Sequence, residues 1–262
     1  MFRLIARLDV KGANLIKPVR MEGLRVIGDP NEYARRYAEQ GACELLYLDA
    51  VASLYGRNNL VEIVERTTRD VFIPIAVGGG IRSVAQARAL FNAGADMVCI
   101  NTGALGRPAL INEISARYGS QAITVSIEAK RVNGGWEAYT DGGRQPTGRD
   151  ALEWATEAVG RGAGQLLLTA VDRDGTRSGF DVALIRAVSG LDLPVPVIAS
   201  GGCGSAQHVC EAQQAGADAV AIASVLHYNM LTIKEINDEL TQGKFQAGSR
   251  SRGRSAESRP AG

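Results

Sequence analysis

Short apolar runs alternate with amphipathic stretches along this chain, and a Gly-rich or acidic turn follows most of the runs. The runs predict eight strands, at 4–8, 45–48, 73–77, 97–100, 123–127, 166–171, 195–199 and 219–223. The amphipathic stretches predict helices over 31–40, 60–69, 84–92, 108–117, 152–161 and 206–215. Pro30 and Pro108 fall at helix starts, where a missing backbone N–H costs nothing. Strands that alternate with helices pair in parallel and are buried on both faces.

The chain is also a tandem duplication. FIPIAVGGGIRS from Phe72 answers PVPVIASGGCGS from Pro194, and AGADMVCINTGAL from Ala93 answers AGADAVAIASVLH from Ala215, both at an offset of 122. GACELLYLDA from Gly41 answers GAGQLLLTAV from Gly162 at an offset of 121. Eight strand–helix units in two repeated halves are satisfied best by an α/β fold of the closed (β/α)8 TIM-barrel type, which takes ~250 residues. An open doubly wound sheet is the alternative, but it does not account for a twofold repeat, and no GxGxxG follows the first strand. The barrel is expected over 1–242, with 243–262 as a disordered basic tail.

Composition narrows the class. The chain has 31 glycines in 262 residues, roughly 12% against a usual ~7%, and only 5% aromatics, so tight turns and an aliphatic core are expected. Segment 248–262 holds four Arg and one Glu, which leaves residues 1–247 at −2 of the total charge of +1. A nearly neutral body gives no reason to expect nucleic acid. No apolar run reaches the ~18 residues of a membrane span, and Arg3, Arg7 and Asp9 interrupt the N-terminus where a signal peptide would be apolar. The expectation is a cytoplasmic protein that engages no membrane. Cys43, Cys99, Cys203 and Cys210 lack zinc-site spacing and read as reduced thiols, Cys203 standing apart in a Gly-rich loop. With only two histidines, neither a metal nor a cofactor is expected.

In such a barrel the active site lies at the C-terminal ends of the strands. Those ends are polar: Asp9, Asp49, Gly78–Gly80, Asn101 and Thr102, Glu128, Asp172–Asp174, Ser200–Gly202 and Ser224. Gly79 and Gly80 recur as Gly201 and Gly202, each pair followed by a serine, Ser83 or Ser205, placed to cap a helix. Backbone N–H groups at such a point hold phosphate. Thr102 and Ser224, at the ends of the next strands, are placed to close the two pockets, so a ligand with two phosphates would bridge the mouth. Glycines that merely allow tight turns are the plainer alternative. Asp9 and Glu128 leave strands one and five, which face each other, and are the acid–base candidates. Lys11 and Lys130 offer each of them an ordinary ion-pair partner instead. Asp174 in DRDGT is a third candidate, with a simple Asp-Gly turn as the competing account.

RLDVKG, VGGGIRS, AGADMVCINT, GSQA, LLTAVDRDGTRSGFD, IASGGCG and ASVLHY, in that order from Arg3 to Leu240, resemble the cyclase-subunit family of imidazole glycerol phosphate synthase. The resemblance implies a barrel that receives ammonia through its interior from a glutaminase subunit docked at the N-terminal face. It implies cleavage and cyclisation of a bisphosphorylated aminoimidazole ribonucleotide in histidine biosynthesis. Asp9 then matches the first catalytic aspartate, Lys17 a substrate-contacting loop lysine, and Thr169, Asp174 and Ser200 the lining of the mouth. Gly79, Gly80, Asn101, Thr102, Gly175, Gly201, Gly202 and Ser224 fall on the phosphate loops. Glu128 stands where the family has its second catalytic aspartate. At the ammonia entrance the family's Arg, Glu, Lys and Glu are matched by Arg3, Glu44, Met97 and Gln165, so one cation and one anion have both become neutral. Asp96 resembles the residue that faces the glutaminase. Two alternatives accompany this reading: an ammonia-channelling subunit for amidation of a surface-polysaccharide sugar, and a sugar-phosphate isomerase of the related half-barrel type.

Overall fold

The computed structural model describes residues 2–52 and 60–242. The expected tail at 243–262 lies outside them. In chain order the elements are β1 (Arg3–Lys11), β2 (Asn14–Val19), β3 (Glu22–Gly28), α1 (Pro30–Glu39), β4 (Glu44–Asp49), α2 (Leu60–Thr67), β5 (Ile75–Gly78), α3 (Val84–Asn92), β6 (Met97–Ile100), α4 (Thr102–Gly106) and α5 (Ala109–Tyr118). The second half continues with β7 (Ile123–Val132), β8 (Gly135–Thr140), β9 (Gln145–Asp150), α6 (Ala151–Gly160), β10 (Gln165–Ala170), α7 (Val182–Ser189), β11 (Val197–Ser200), α8 (Ala206–Gln214), β12 (Ala219–Ile222), α9 (Ser224–His227) and α10 (Ile233–Thr241).

Eight strands close in parallel, in the order β1, β4, β5, β6, β7, β10, β11, β12 and back to β1. Leu4, Ala6, Leu8 and Val10 of β1 face outward into the layer beneath the helices. Ile5, Leu46, Ala76, Cys99, Leu167, Ile198, Ala219 and Ala221 form a separate apolar band inside the barrel. Both faces of each strand are therefore buried, which is why the strands read as continuous apolar runs. Ser83 and Ser205 cap α3 and α8, accepting from the N–H groups of Gln86 and His208. Among the described residues no helix is long and apolar enough to cross a membrane.

The short apolar runs locate the eight barrel strands, with two differences. Strands five and eleven start at Ile75 and Val197 rather than at 73 and 195, since Pro74 and Pro196 have no N–H to give a ladder. Strands one and seven run past Asp9 and Glu128, to Lys11 and Val132. Each is prolonged by an antiparallel hairpin, β2–β3 on β1 and β8–β9 on β7. The hairpins are a fourth element of the repeat and overhang the C-terminal mouth.

Candidate active site

Alternation along β1 aims Arg3, Ile5, Arg7 and Asp9 into the barrel, from its N-terminal end to its mouth. Arg7 and Asp9 are 3% and 1% exposed. Arg7 Nε donates to Asp9 Oδ1 at 2.9 Å, and its Nη1 reaches Ser200 Oγ at 3.0 Å and Thr169 Oγ1 at 3.4 Å. From β2, the buried Lys17 Nζ lies 3.2 Å from Asp9 Oδ2 and 3.4 Å from both Asp174 oxygens. Two cations and two carboxylates thus form one buried chain, Arg7–Asp9–Lys17–Asp174. Burial acts to raise the Asp9 pKa, but Arg7 and Lys17 outweigh it and hold the carboxyl below the usual carboxylate range.

Glu128 is in the opposite condition. Burial pushes it up to about 7, against the N–H of Gly143, the charge of Arg7 and the amide of Asn101. Gly143, in the β8–β9 turn, donates to Glu128 Oε2 at 2.7 Å. The two carboxyls share one cavity with their affinities for a proton driven apart, the condition for dividing electrostatic and proton-transfer roles. Neither uses the lysine two residues on: Asp9 takes Arg7 and Lys17, and Lys130 lies over the Tyr139 ring, 4.7 Å from its centroid.

Two cavities open at the mouth. Gly79, Gly80, Asn101 and Thr102 line the first, together with Asp9 and Glu128. Asp174, Gly175, Ser200, Gly201, Gly202 and Ser224 line the second. The loops of the two halves are built alike. Gly79 (φ +113°) and Gly201 (φ +88°) occupy the left-handed region, and a Cβ there would lie 2.6 Å from Asp49 O and 2.7 Å from Ala170 O. Each glycine lets its loop fold against the end of the preceding barrel strand, as the tight-turn account requires. Among the described residues Arg7 alone lines both cavities.

The family model described as "Histidine biosynthesis protein" matches residues 3–232. The chain belongs to this family. It is 60% identical over 203 residues to a Legionella pneumophila protein named imidazole glycerol phosphate synthase subunit HisF, covering 77% of this chain and 95% of the relative. A Myxococcus xanthus protein of the same name is 52% identical over 235 residues, covering 89% and 92%.

At the opposite end of this histidine-biosynthesis barrel, five strands contribute side chains to a hydrogen-bonded ring of residues that is open between Glu44 and Met97. Arg3 Nη1 lies 3.4 Å from Glu44 Oε2 and its Nη2 3.4 Å from Gln165 Oε1. Gln165 Nε2 in turn donates to Thr124 Oγ1 at 2.8 Å and meets Met97 Sδ at 3.2 Å. Burial raises Glu44 to about 7, with Arg3 opposing the rise and Asp96 adding to it. Asp96 itself accepts from the N–H of Ile75 at 2.8 Å, and its repeat mate Asp218 accepts from Val197 at 2.9 Å. That shared contact gives Asp96 a structural task in the sheet, whatever faces it from outside.

Some sequence-derived site residues are placed differently from expectation. Lys17 is a buried strand residue, not a loop lysine, and Thr169 is held under the Arg7 guanidinium and lines neither cavity. The Cys203 thiol is buried, and burial pushes it up to about 12, so it behaves as a small hydrophobe. Arg7, which lines both cavities, is the residue of the mouth that the sequence pattern did not single out. The signal was available: alternation puts it on the same face of β1 as Asp9.

Proposed function

We propose that the chain is the cyclase subunit of imidazole glycerol phosphate synthase and acts as an enzyme of histidine biosynthesis in the cytoplasm. Ammonia from a glutaminase subunit of the kind that partners this family enters at the Arg3 ring. It reacts at the mouth with a bisphosphorylated aminoimidazole ribonucleotide, giving imidazole glycerol phosphate and the aminoimidazole carboxamide ribonucleotide. The observation that carries this reading is the Asp9 and Glu128 pair set beside two duplicated glycine-lined cavities. Gly79, Gly80, Asn101 and Thr102 hold one phosphate, and Gly175, Gly201, Gly202 and Ser224 the other. Asp174 and Ser200 contact the ligand beside the second cavity, with Lys17 anchoring Asp174.

The chemistry assigned to the mouth is proton transfer on a ligand fixed at both ends. A group with a pKa near neutrality both accepts and returns a proton at physiological pH, and Glu128 meets that condition. Asp9 remains an anion and stabilises positive charge as it develops on the reacting ring. Fixing both phosphates converts ring closure into a positioned, effectively unimolecular step.

The neutral Met97 and Gln165 in the entrance ring favour a second reading, in which the barrel passes ammonia to a different acceptor such as a surface-polysaccharide sugar. Steady-state consumption of the bisphosphorylated ribonucleotide by the purified chain, with ammonium salt at high pH supplying free ammonia, separates the two. Turnover that is lost in Asp9→Asn supports the cyclase. A folded barrel that binds a glutaminase but consumes no ribonucleotide would leave the conduit role.

A further inference from the structure

Arg7 has no part in the acid–base pair as assigned above, yet it touches more of the mouth than any candidate residue. Its guanidinium sits between the apolar band of the interior and the two cavities, and it spans from β1 to β10 and β11. We infer that Arg7 is the positioning residue of this mouth: by holding Asp9 Oδ1 at 2.9 Å it fixes that carboxyl as an anion between the two cavities and leaves proton exchange to Glu128. The inference rests on the acid–base reading of the mouth, which it deepens.

The charge chain explains why Arg7 is required. Arg7, Asp9, Lys17 and Asp174 balance as two cations and two anions out of water. Without Arg7, Lys17 alone would face two buried carboxylates, and an uncompensated buried charge is costly enough that one of them takes up a proton. The other groups that act on Asp9 do not replace Arg7. His227 is buried, stacked on Tyr37, and held neutral at ordinary pH by its burial. Asp141 acts on Glu128 rather than on Asp9, and as a carboxylate it could not stand in for a cation. The direction is the same from the cation's side, since Asp9, Asp174 and Glu128 all favour the charged form of Arg7. Thr169 and Ser200 then have a task of their own, holding Nη1 so that Nε stays on Asp9.

Carboxyl carbon NMR on the full chain tests this without turnover, the Asp9 and Glu128 signals being identified by their loss in Asp9→Asn and Glu128→Gln. In the unaltered protein Asp9 is expected to titrate below the ordinary carboxylate range while Glu128 titrates near neutrality. In Arg7→Met the Asp9 signal should titrate at clearly higher pH, and Arg7→Lys should restore its ionised state in part. With ammonium salt, Arg7→Met should lower kcat by about 10²-fold and add a second group to the acid limb of the pH profile, with KM moving less than about twofold. Asp9 titrating in the ordinary carboxylate range in the unaltered protein would overturn the inference, even if Arg7→Met fails to fold. So would an Arg7→Met protein that shifts only KM or inorganic phosphate affinity, since Arg7 would then be a ligand contact. Failure of the cyclase reading is separate: no ribonucleotide turnover, with the NMR pattern intact.

Discussion

Arg144 Nη2 donates to the carbonyl of Met21 at 3.1 Å, tying the β8–β9 hairpin of the second half to the β2–β3 hairpin of the first across the mouth. Its Nη1 meanwhile holds Asp141 O in its own turn at 3.0 Å. The neighbouring Gly143 is the donor on Glu128, so the latch also sets the environment of the carboxyl proposed to exchange protons. Arg144→Ala should cost less than about 1 kcal/mol in global stability, as one partly exposed hydrogen-bonding contact does. Amide exchange should quicken in both hairpins and not in the barrel strands. Loss of the Gly143 contact should move the Glu128 pKa further up, visible as a shift in the acid limb of the pH–rate profile.

Glu128→Gln keeps the shape of the side chain and its acceptor for Gly143 but removes the exchangeable proton. It should lower kcat by about 10²- to 10⁴-fold in the ammonium-driven reaction, the usual worth of a positioned acid–base group. Inorganic phosphate affinity should be unchanged, because the residues proposed to hold phosphate lie on other loops. Glu128→Asp draws the carboxyl back by about 1 Å and should cost on the order of 10²-fold if the proton transfer is as tightly set as the Gly143 contact indicates.

The same substitution has a stability signature. A carboxyl raised from 4.5 to about 7 is protonated in the folded chain where the unfolded chain has already lost its proton. Native protein therefore binds more protons across that window, and stability falls as pH rises through it. At 1.36 kcal/mol per pH unit the Glu128 contribution amounts to about 3 kcal/mol. Urea unfolding should find Glu128→Gln nearly equal to the unaltered chain at about pH 4 and more stable than it by up to that amount at about pH 8. Equal stabilities at both pH values would show that Glu128 is not raised.

Gly79→Ala and Gly201→Ala form a matched pair. Each puts a Cβ within 2.7 Å of a strand-end carbonyl and forces a non-glycine residue into the left-handed region. About 1–3 kcal/mol of strain is expected from each, seen as a lower Tm. Phosphate titration should then report weakening at one cavity only in each variant, with the other cavity keeping its affinity. Loss of both sites from one substitution would mean that the two cradles are not independent.

The fold and the mouth were legible to different depths. The 122-residue repeat and the short continuous apolar runs located all eight barrel strands, since a strand buried on both faces is marked by apolar residues at every position. Both hairpins were missed for the opposite reason: β9, QPTGRD, is largely exposed and carries almost no apolar pattern, and β2 is broken by Lys17 and Pro18. Those hairpins supply Lys17, Gly143 and Arg144, so the local control of Asp9 and Glu128 was hidden with them. Asp9 and Glu128 themselves stood out among the polar strand ends because they occupy matched positions in the two halves, on strands that face each other across the barrel.

The entrance ring gives the last test. Gln165 is its hub, accepting from Arg3 and donating to Thr124 and toward Met97. Gln165→Leu keeps the volume but removes all of these contacts, leaving Arg3 with the Glu44 carboxyl alone. Ammonium salt reaches the mouth without crossing the ring, so the ammonium-driven rate should stay within about twofold. The glutamine-driven rate, measured with a glutaminase subunit bound, should change by more than that, because on the proposed route ammonia then passes the rearranged Arg3. Equal effects on both rates would place the influence of Gln165 on barrel packing rather than on entry.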